Sequence, residues 1–125
     1  MLSDVSWRSV FELSAARSLY WSVRFKDETA RIRYLEDPSF CYKNIYEPMD
    51  AARIGPHAIA DGFEGPFRYS ELLWVRFPRL IRAGSCVHVL LDIENDLASA
   101  QAGLAIRSIA YSAFDGGVHV GGSDT

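Results

Sequence analysis

The stretch FRYSELLWVRF, residues 67–77, carries the clearest pattern in the chain. Its residues alternate with the two-residue period of a β-strand that buries one face. Pro78 follows and predicts the end of the strand. Glu71 is the exception, because it falls on the otherwise apolar face and would need a buried partner or a slip in the alternation. The predicted inner face holds Phe67, Tyr69, Glu71, Leu73, Val75 and Phe77, and the outer face holds Arg68, Ser70, Leu72, Trp74 and Arg76.

The segment before this strand predicts a helix followed by a hairpin. Ser3 is a suitable N-cap for a helix over residues 3–17. Residues 19–26 and 30–35 then alternate with period two on either side of a polar break, which predicts two antiparallel strands. The apolar face of the helix holds Trp7, Val10, Phe11 and Ser14 at helical spacing, widened by Val5 and Leu13.

Residues 36–66 form the least regular part of the sequence. Prolines and glycines recur throughout it, which predicts a long loop with a short helix around 49–54. Long ordered loops in compact domains are often functional, so this loop is a candidate contact region.

The C-terminal part predicts one more helix and a closing strand. An apolar segment at 86–91 is compatible with a strand, although it has no clear period. Asp92 or Asn95 could cap a helix to about Ala102, with Gly103 at its C-terminal cap. Residues 105–114 predict a strand with Ile109 and Tyr111 on one face and Ile106 on the other, and residues 116–125 predict a flexible tail. The helical stripe would hold Ile93, Leu97, Ala100 and Leu104.

This order of elements predicts an α+β fold. We expect a mostly antiparallel sheet of four or five strands, with an N-terminal and a C-terminal helix packed on one face. The length of 125 residues predicts a single domain over 1–115, followed by the tail.

Composition excludes several classes of protein. Apolar residues make up 49% of the chain and the net charge is −3, which excludes a disordered polyelectrolyte. No apolar run approaches the roughly 18 residues of a membrane span, and residues 1–4 lack the pattern of a signal peptide. We therefore expect a cytoplasmic protein, in which Cys41 and Cys86 would be reduced thiols, with a disulfide between them as the alternative.

Catalytic motifs are sparse. Cys86 and His88 would share a strand face, and His57 and Asp61 would share a helix face, but neither pair has a further group to complete a site. No phosphate-binding loop is present. We expect no catalytic residue, no metal and no cofactor. An enzyme that uses Cys41 or Cys86 as its nucleophile is the alternative to a protein that only binds a partner.

The outer faces of the three predicted strands would collect basic and aromatic residues. Such a surface could bind RNA through stacking and phosphate contacts, or it could bind an acidic protein. It could also be a solvated face whose arginine stems cover apolar surface. The residues concerned are Tyr20, Arg24, Lys26, Arg31, Arg33, Arg68, Trp74 and Arg76.

Two segments resemble small bacterial α+β proteins of unknown function, some of which are thought to be immunity proteins that neutralise toxins. They are Trp7–Leu13 (WRSVFEL) in the first helix and Gly65–Val75 (GPFRYSELLWV) in the central strand, followed by a helix and a closing strand with Ala110–Tyr111. The resemblance covers about half of the chain, and it carries over no functional residue.

These observations predict a non-enzymatic module that binds another protein, with a toxin-neutralising immunity protein as its specific form. Residues 83–125 are acidic, and an acidic patch suits a basic nuclease toxin. The candidate acidic contacts are Asp92, Glu94 and Asp96. A nucleic-acid-binding module that uses the basic sheet face is the alternative, and no oligomeric state is predicted.

Overall fold

The computed structural model describes residues 2–27, 48–60, 66–83 and 91–123, with backbone only at 81–83 and 91–93. These residues form an α+β fold with two helices and a four-stranded antiparallel sheet, in the strand order β1-β4-β8-β7. Two further ladders, β2-β3 and β5-β6, have two strands each. The elements are α1 Asp4–Arg17, β1 Ser22–Phe25, β2 Ala58–Ile59, β3 Phe67–Arg68, β4 Leu72–Phe77, β5 Leu80–Ala83, β6 Leu91–Glu94, α2 Leu97–Ile106, β7 Ser112–Phe114 and β8 Gly117–Gly121, with 3-10 turns at Ala51–Arg53 and Tyr69–Glu71.

Helix α1 forms as predicted. The Ser3 hydroxyl accepts a hydrogen bond from the Ser6 N–H, and the helix ends at Ser18 in the left-handed conformation. Its predicted core residues are buried, except that Val5 is 74% exposed. Val5 lies about 200° around the helix from Trp7, on the opposite side, so including it in the apolar face was wrong.

Strand β1 also follows the sequence pattern. Leu19, Trp21, Val23 and Phe25 are all buried, as their alternation predicted. Within the described residues β1 pairs with β4 in antiparallel register. The predicted second arm of the hairpin, residues 30–35, lies outside the described residues.

The predicted strand 67–77 is interrupted by the turn at Tyr69–Glu71. The Glu71 carboxylate accepts the Arg68 N–H at 2.7 Å, and the Glu71 carbonyl accepts the Lys26 N–H at 2.9 Å. The alternation therefore slips where Glu71 stood out in the sequence. Leu72 lies in the core and Leu73 is only half-buried, which reverses their predicted faces.

Aromatic side chains join α1 to the strands. The Phe11 ring centroid lies 5.3 Å from that of Trp21 and 6.0 Å from those of Phe67 and Tyr69. The Tyr69 hydroxyl donates to the Gly55 carbonyl at 2.7 Å, and burial raises the pKa of Tyr69 to about 12. The phenol therefore acts as a structural hydrogen-bond donor.

The described end of the 36–66 loop is held against α1. The buried Ser14 hydroxyl donates to the Leu19 carbonyl at 2.7 Å and accepts the Met49 N–H at 3.1 Å. The short helix predicted around 49–54 is a 3-10 turn at Ala51–Arg53. Residues 36–47 and 61–65 of this loop lie outside the described residues.

Helix α2 begins later than predicted. Asp96 is its N-cap, in place of Asp92 or Asn95, and Ile93 belongs to β6. Gly103 lies inside the helix and is not its cap. It faces Leu13 of α1, and a Cβ at Gly103 would overlap the Leu13 side chain, so the two helices approach closely there. Leu97, Ala100 and Leu104 pack into or against the core, as the stripe predicted.

The C-terminal prediction was wrong in two places. Ile106 ends α2 and is 82% exposed, and the closing strand β7 covers only Ser112–Phe114. The expected tail from residue 116 contains β8, which lies between β4 and β7. Asp115 and Gly116 connect β7 to β8 with φ of 49° and 79°. A two-residue turn with two positive φ angles matches the right-handed twist of a hairpin.

The Asn95 side chain connects three segments of backbone. Its Oδ1 accepts the Tyr20 N–H at 2.9 Å, and its Nδ2 donates to the Tyr20 and Pro78 carbonyls at 2.8 Å each. The Asn95 N–H donates to the Arg79 carbonyl at 3.1 Å. One amide therefore joins the start of β1, the end of β4 and the start of α2.

We predict that Asn95→Ala lowers the free energy of unfolding by about 2 kcal/mol, because it leaves half-buried backbone groups without their partner. Asn95→Asp should be about as damaging, since a carboxylate oxygen would replace the donor that faces two carbonyls. Urea denaturation followed by tryptophan fluorescence measures both changes. The exposed neighbour substitution Glu94→Gln is the control, and equal stabilities of Asn95→Ala and this control would contradict the prediction.

Candidate interaction surface on the outer sheet face

Strand register defines a second face of the four-stranded sheet. Residues that lie opposite each other in an antiparallel pair point to the same side. Arg76 is opposite both Ser22 and His119, and Trp74 is opposite Arg24. We call this side the outer face, and it consists of Ser22, Arg24, Trp74, Arg76, Ser112, Phe114 and His119.

Arg76 is stacked between two aromatic rings of the outer face. Its guanidinium carbon lies 3.8 Å from the centroid of the Trp74 ring and 3.3 Å from that of the Phe114 ring. Both contacts have cation–π geometry. Trp74 is 7% exposed, although it is absent from the main hydrophobic cluster, so its burial depends on neighbours on the outer face.

His119 orients the Arg76 side chain from the neighbouring strand. The Arg76 Nε–H donates to His119 Nδ1 at 2.9 Å, and His119 Nε2 lies 2.7 Å from the Gly122 carbonyl. A carbonyl only accepts, so Nε2 carries the proton and Nδ1 has the lone pair that Arg76 needs. The neutral Nε2–H tautomer satisfies both bonds.

A cleft adjoins this stack where the β7–β8 turn meets the end of β4. It has a volume of about 250 Å³. Phe114 and Leu80, which are 46% and 41% exposed, supply apolar wall, and Arg76, Arg79 and Asp115 supply charge. We call it the hairpin cleft, lined by Ser22, Arg76, Phe77, Pro78, Arg79, Leu80, Phe114, Asp115 and Val118.

A second cleft, of about 360 Å³, lies between α1 and the Ala51–Arg53 turn. Its arginine, Arg8, already pairs with Glu12 at 3.0 Å. Since its cation has an ion-pair partner four residues along the helix, this cleft offers less to an anionic ligand than the hairpin cleft does.

The structure brings together only some of the basic and aromatic residues that were predicted to share one face. Arg24, Trp74 and Arg76 meet on the outer face. Arg68 belongs to β3 in a separate ladder, and Lys26 follows the end of β1. Tyr20 precedes β1 and is bound through its backbone by Asn95, while Arg31 and Arg33 lie outside the described residues.

The predicted acidic residues do not share one role. Asp92 lies on β6 opposite Arg82, and the exposed Glu94 ends the same strand. Asp96 accepts hydrogen bonds from the Ser99 hydroxyl at 2.6 Å and the Ser99 N–H at 3.1 Å. These two bonds, the hydroxyl first, lower the pKa of Asp96. The negative charge of Asp96 therefore stabilises the start of α2.

Sequence reasoning missed Phe114, His119 and Arg79. Two signals could have found the first two residues. Asp115-Gly116 is a typical hairpin turn between alternating segments, and Val118-His119-Val120 alternates apolar and polar residues. Nothing in the sequence marks Arg79, because its position depends on where Pro78 directs the chain.

The described residues add no further group to the predicted catalytic and metal-binding pairs. His57 Nδ1 lies 2.8 Å from the Asp4 carboxylate in an exposed pair, while Asp61 lies outside the described residues. Cys41, Cys86 and His88 also lie outside them. Among the described residues no group of three or more His, Cys, Asp or Glu side chains could hold a metal ion.

In the described part of the chain no helix has the length and apolar character needed to cross a membrane. Comparison of the chain with protein-family models, curated proteins and solved structures gives no match.

We predict that Arg76→Lys lowers the free energy of unfolding by about 1 kcal/mol, because an ammonium group cannot stack flat between two rings. It also lacks the Nε–H that bonds His119. Thermal denaturation by circular dichroism measures the change, with Arg53→Lys on the exposed 3-10 turn as the control. A loss no greater than that of the control would contradict the stacked geometry.

We predict that Asp96 makes stability depend on pH on the acid side. Because the pKa of the folded state is lowered, the stabilisation is present above the unfolded pKa and is lost as the pH falls through the folded one. Asp96→Asn keeps a capping side chain but removes the charge. The difference in free energy of unfolding between this variant and the wild type should be smaller at pH 3 than at pH 7. Urea denaturation at both pH values tests this, with Glu94→Gln as control. An equal difference at both would show that the charge contributes nothing.

Proposed function

We propose that this chain is a cytoplasmic, non-enzymatic protein-interaction module that binds another polypeptide through its outer sheet face. The observation that carries the proposal is the ordered stack of Trp74, Arg76 and Phe114 beside exposed apolar side chains. Aromatic residues and arginine dominate the energetic centres of protein interfaces. A side chain already held in place also loses less entropy when a partner binds.

The proposal assumes that both helices pack on the face of the sheet opposite to the outer face. It is supported by the hydrophobic cluster, which joins Phe11 of α1 and Leu104 of α2 to Val75 and Val120 of the sheet. The outer face would then be left to a partner.

In its specific form the proposal names a bacterial toxin as the partner, which this chain would neutralise as an immunity protein. Only the resemblance of Trp7–Leu13 and Gly65–Val75 to such proteins supports this form. Of the acidic contacts expected for it, Asp96 also caps α2. The contact proposed here lies on the outer face instead.

Nucleic acid is a weaker candidate for this surface. Arg76 lies over Trp74 and Phe114, and Trp74 is 7% exposed, so Trp74 offers no open ring for a base to stack on. Arg68 lies in another ladder.

The test is a tagged pull-down from lysate of the source organism, split into nuclease-treated and untreated halves. We compare the wild type with Phe114→Ser on the outer face and with Val5→Ser on the exposed side of α1. The expected result is a stoichiometric protein that survives nuclease, is lost with Phe114→Ser and is retained with Val5→Ser.

Two results would overturn the proposal. Recovery that vanishes with nuclease would assign the outer face to nucleic acid. Equal recovery by both variants would place the contact elsewhere. Circular dichroism of both variants confirms that a loss of binding is not a loss of folding.

A further inference from the structure

The hairpin cleft carries an excess of positive charge. Two guanidinium groups, of Arg76 and Arg79, and one carboxylate, of Asp115, line it. Within the described residues no hydrogen bond or ion pair engages the Arg79 guanidinium. A planar guanidinium matches a carboxylate through two parallel hydrogen bonds.

Backbone and turn geometry restrict where Arg79 can point. Its carbonyl accepts the Asn95 N–H at 3.1 Å, and it directly follows Pro78. Its side chain crosses Gly116, where a built Cβ would lie 3.2 Å from the Arg79 Cδ and Nε. The stem is therefore supported by the β7–β8 turn, which lowers the entropic cost of ordering Arg79 around a ligand.

The walls and size of the cleft limit the ligand. Phe114 and Leu80 provide apolar surface beside the two arginines. The volume of about 250 Å³ is below the range typical of sites for drug-sized molecules. The occupant is therefore small, carries an anionic group and has an apolar group next to it. Because the proposed partner is a polypeptide, the anionic group is the carboxylate of an acidic side chain.

We propose that the hairpin cleft binds an acidic side chain of a partner polypeptide, together with an apolar residue beside it. The inference rests on the proposed function, since Phe114 and Arg76 belong to both the outer face and the cleft. An acidic residue of the partner pairs with Arg79, while its apolar neighbour packs on Phe114 and Leu80.

The test titrates the ¹⁵N-labelled protein with two capped dipeptides, Ac-Phe-Glu-NH₂ and Ac-Phe-Gln-NH₂, which differ in one charge. Binding is followed by NMR through the backbone amides of Leu80, Gly116 and Gly117. We expect the glutamate peptide to bind about three- to fivefold more tightly, which is the upper part of the range for an exposed ion pair.

Three variants locate that preference. Arg79→Gln should remove it, and Asp115→Asn should strengthen binding of the glutamate peptide by relieving repulsion. Asn is also well suited to the positive φ of residue 115. Arg8→Gln in the second cleft is the control and should change nothing.

Several outcomes would overturn the inference. They are equal affinity for the two peptides, shifts away from the cleft, and an Arg79→Gln variant that keeps the preference. Binding of acetate or inorganic phosphate as tight as that of the glutamate peptide would assign the cleft to free anions. Failure here, alongside a protein partner that Phe114→Ser loses, would leave the proposed function standing. If the preference for the glutamate peptide is found but the pull-down recovers no partner, carboxylate binding in the cleft would stand and the proposed function would fall.

Discussion

The structure depends on the pairing of β4 with a strand on each side. Leu72–Phe77 forms backbone hydrogen bonds with β1 on one edge and β8 on the other, so both registers are constrained by the same six residues. Side chains alternate along a strand, so this register sends Val75 and Phe77 to the core and Trp74 and Arg76 to the outer face. A slip by one residue would bury Arg76 without its partners and expose Val75. The hydrophobic core and the candidate interaction surface are therefore consequences of one pairing.

Polar side chains connect the core to the proposed site. Asn95 binds the backbone at Tyr20 and at Pro78 and Arg79, which places the start of α2 beside the end of β4. Arg79 is then directed toward the β7–β8 turn, where Gly116 leaves room for its side chain. On the outer face, His119 holds Arg76 between Trp74 and Phe114. The site is thus built by contacts between segments that are far apart in the chain.

Local patterns predicted the elements whose burial follows from their own periodicity. Helix α1, with Ser3 as cap and Phe11 in the core, and the alternating strand from Trp21 to Phe25 were both anticipated. The pattern failed where a short turn broke it, as at Tyr69–Glu71, where a backbone N–H bonded the Glu71 carboxylate. It also failed where glycine suggested mobility at 116–121, because a strand between two others gains its stability from pairing and needs few large side chains.

The sequence by itself determined the α+β class, the cap and most of the apolar face of α1, and the presence of tryptophan at position 74 and arginine at position 76 of a strand. Each of these follows from spacing and residue type within a few neighbouring positions. Only the tertiary structure decided that β8 lies between β4 and β7, that Arg76 meets Phe114 and His119, and that Arg79 borders a cleft with Asp115. Strand order and the side-chain contacts across the sheet depend on pairing between residues up to about fifty positions apart. Local periodicity contains no information about such pairing.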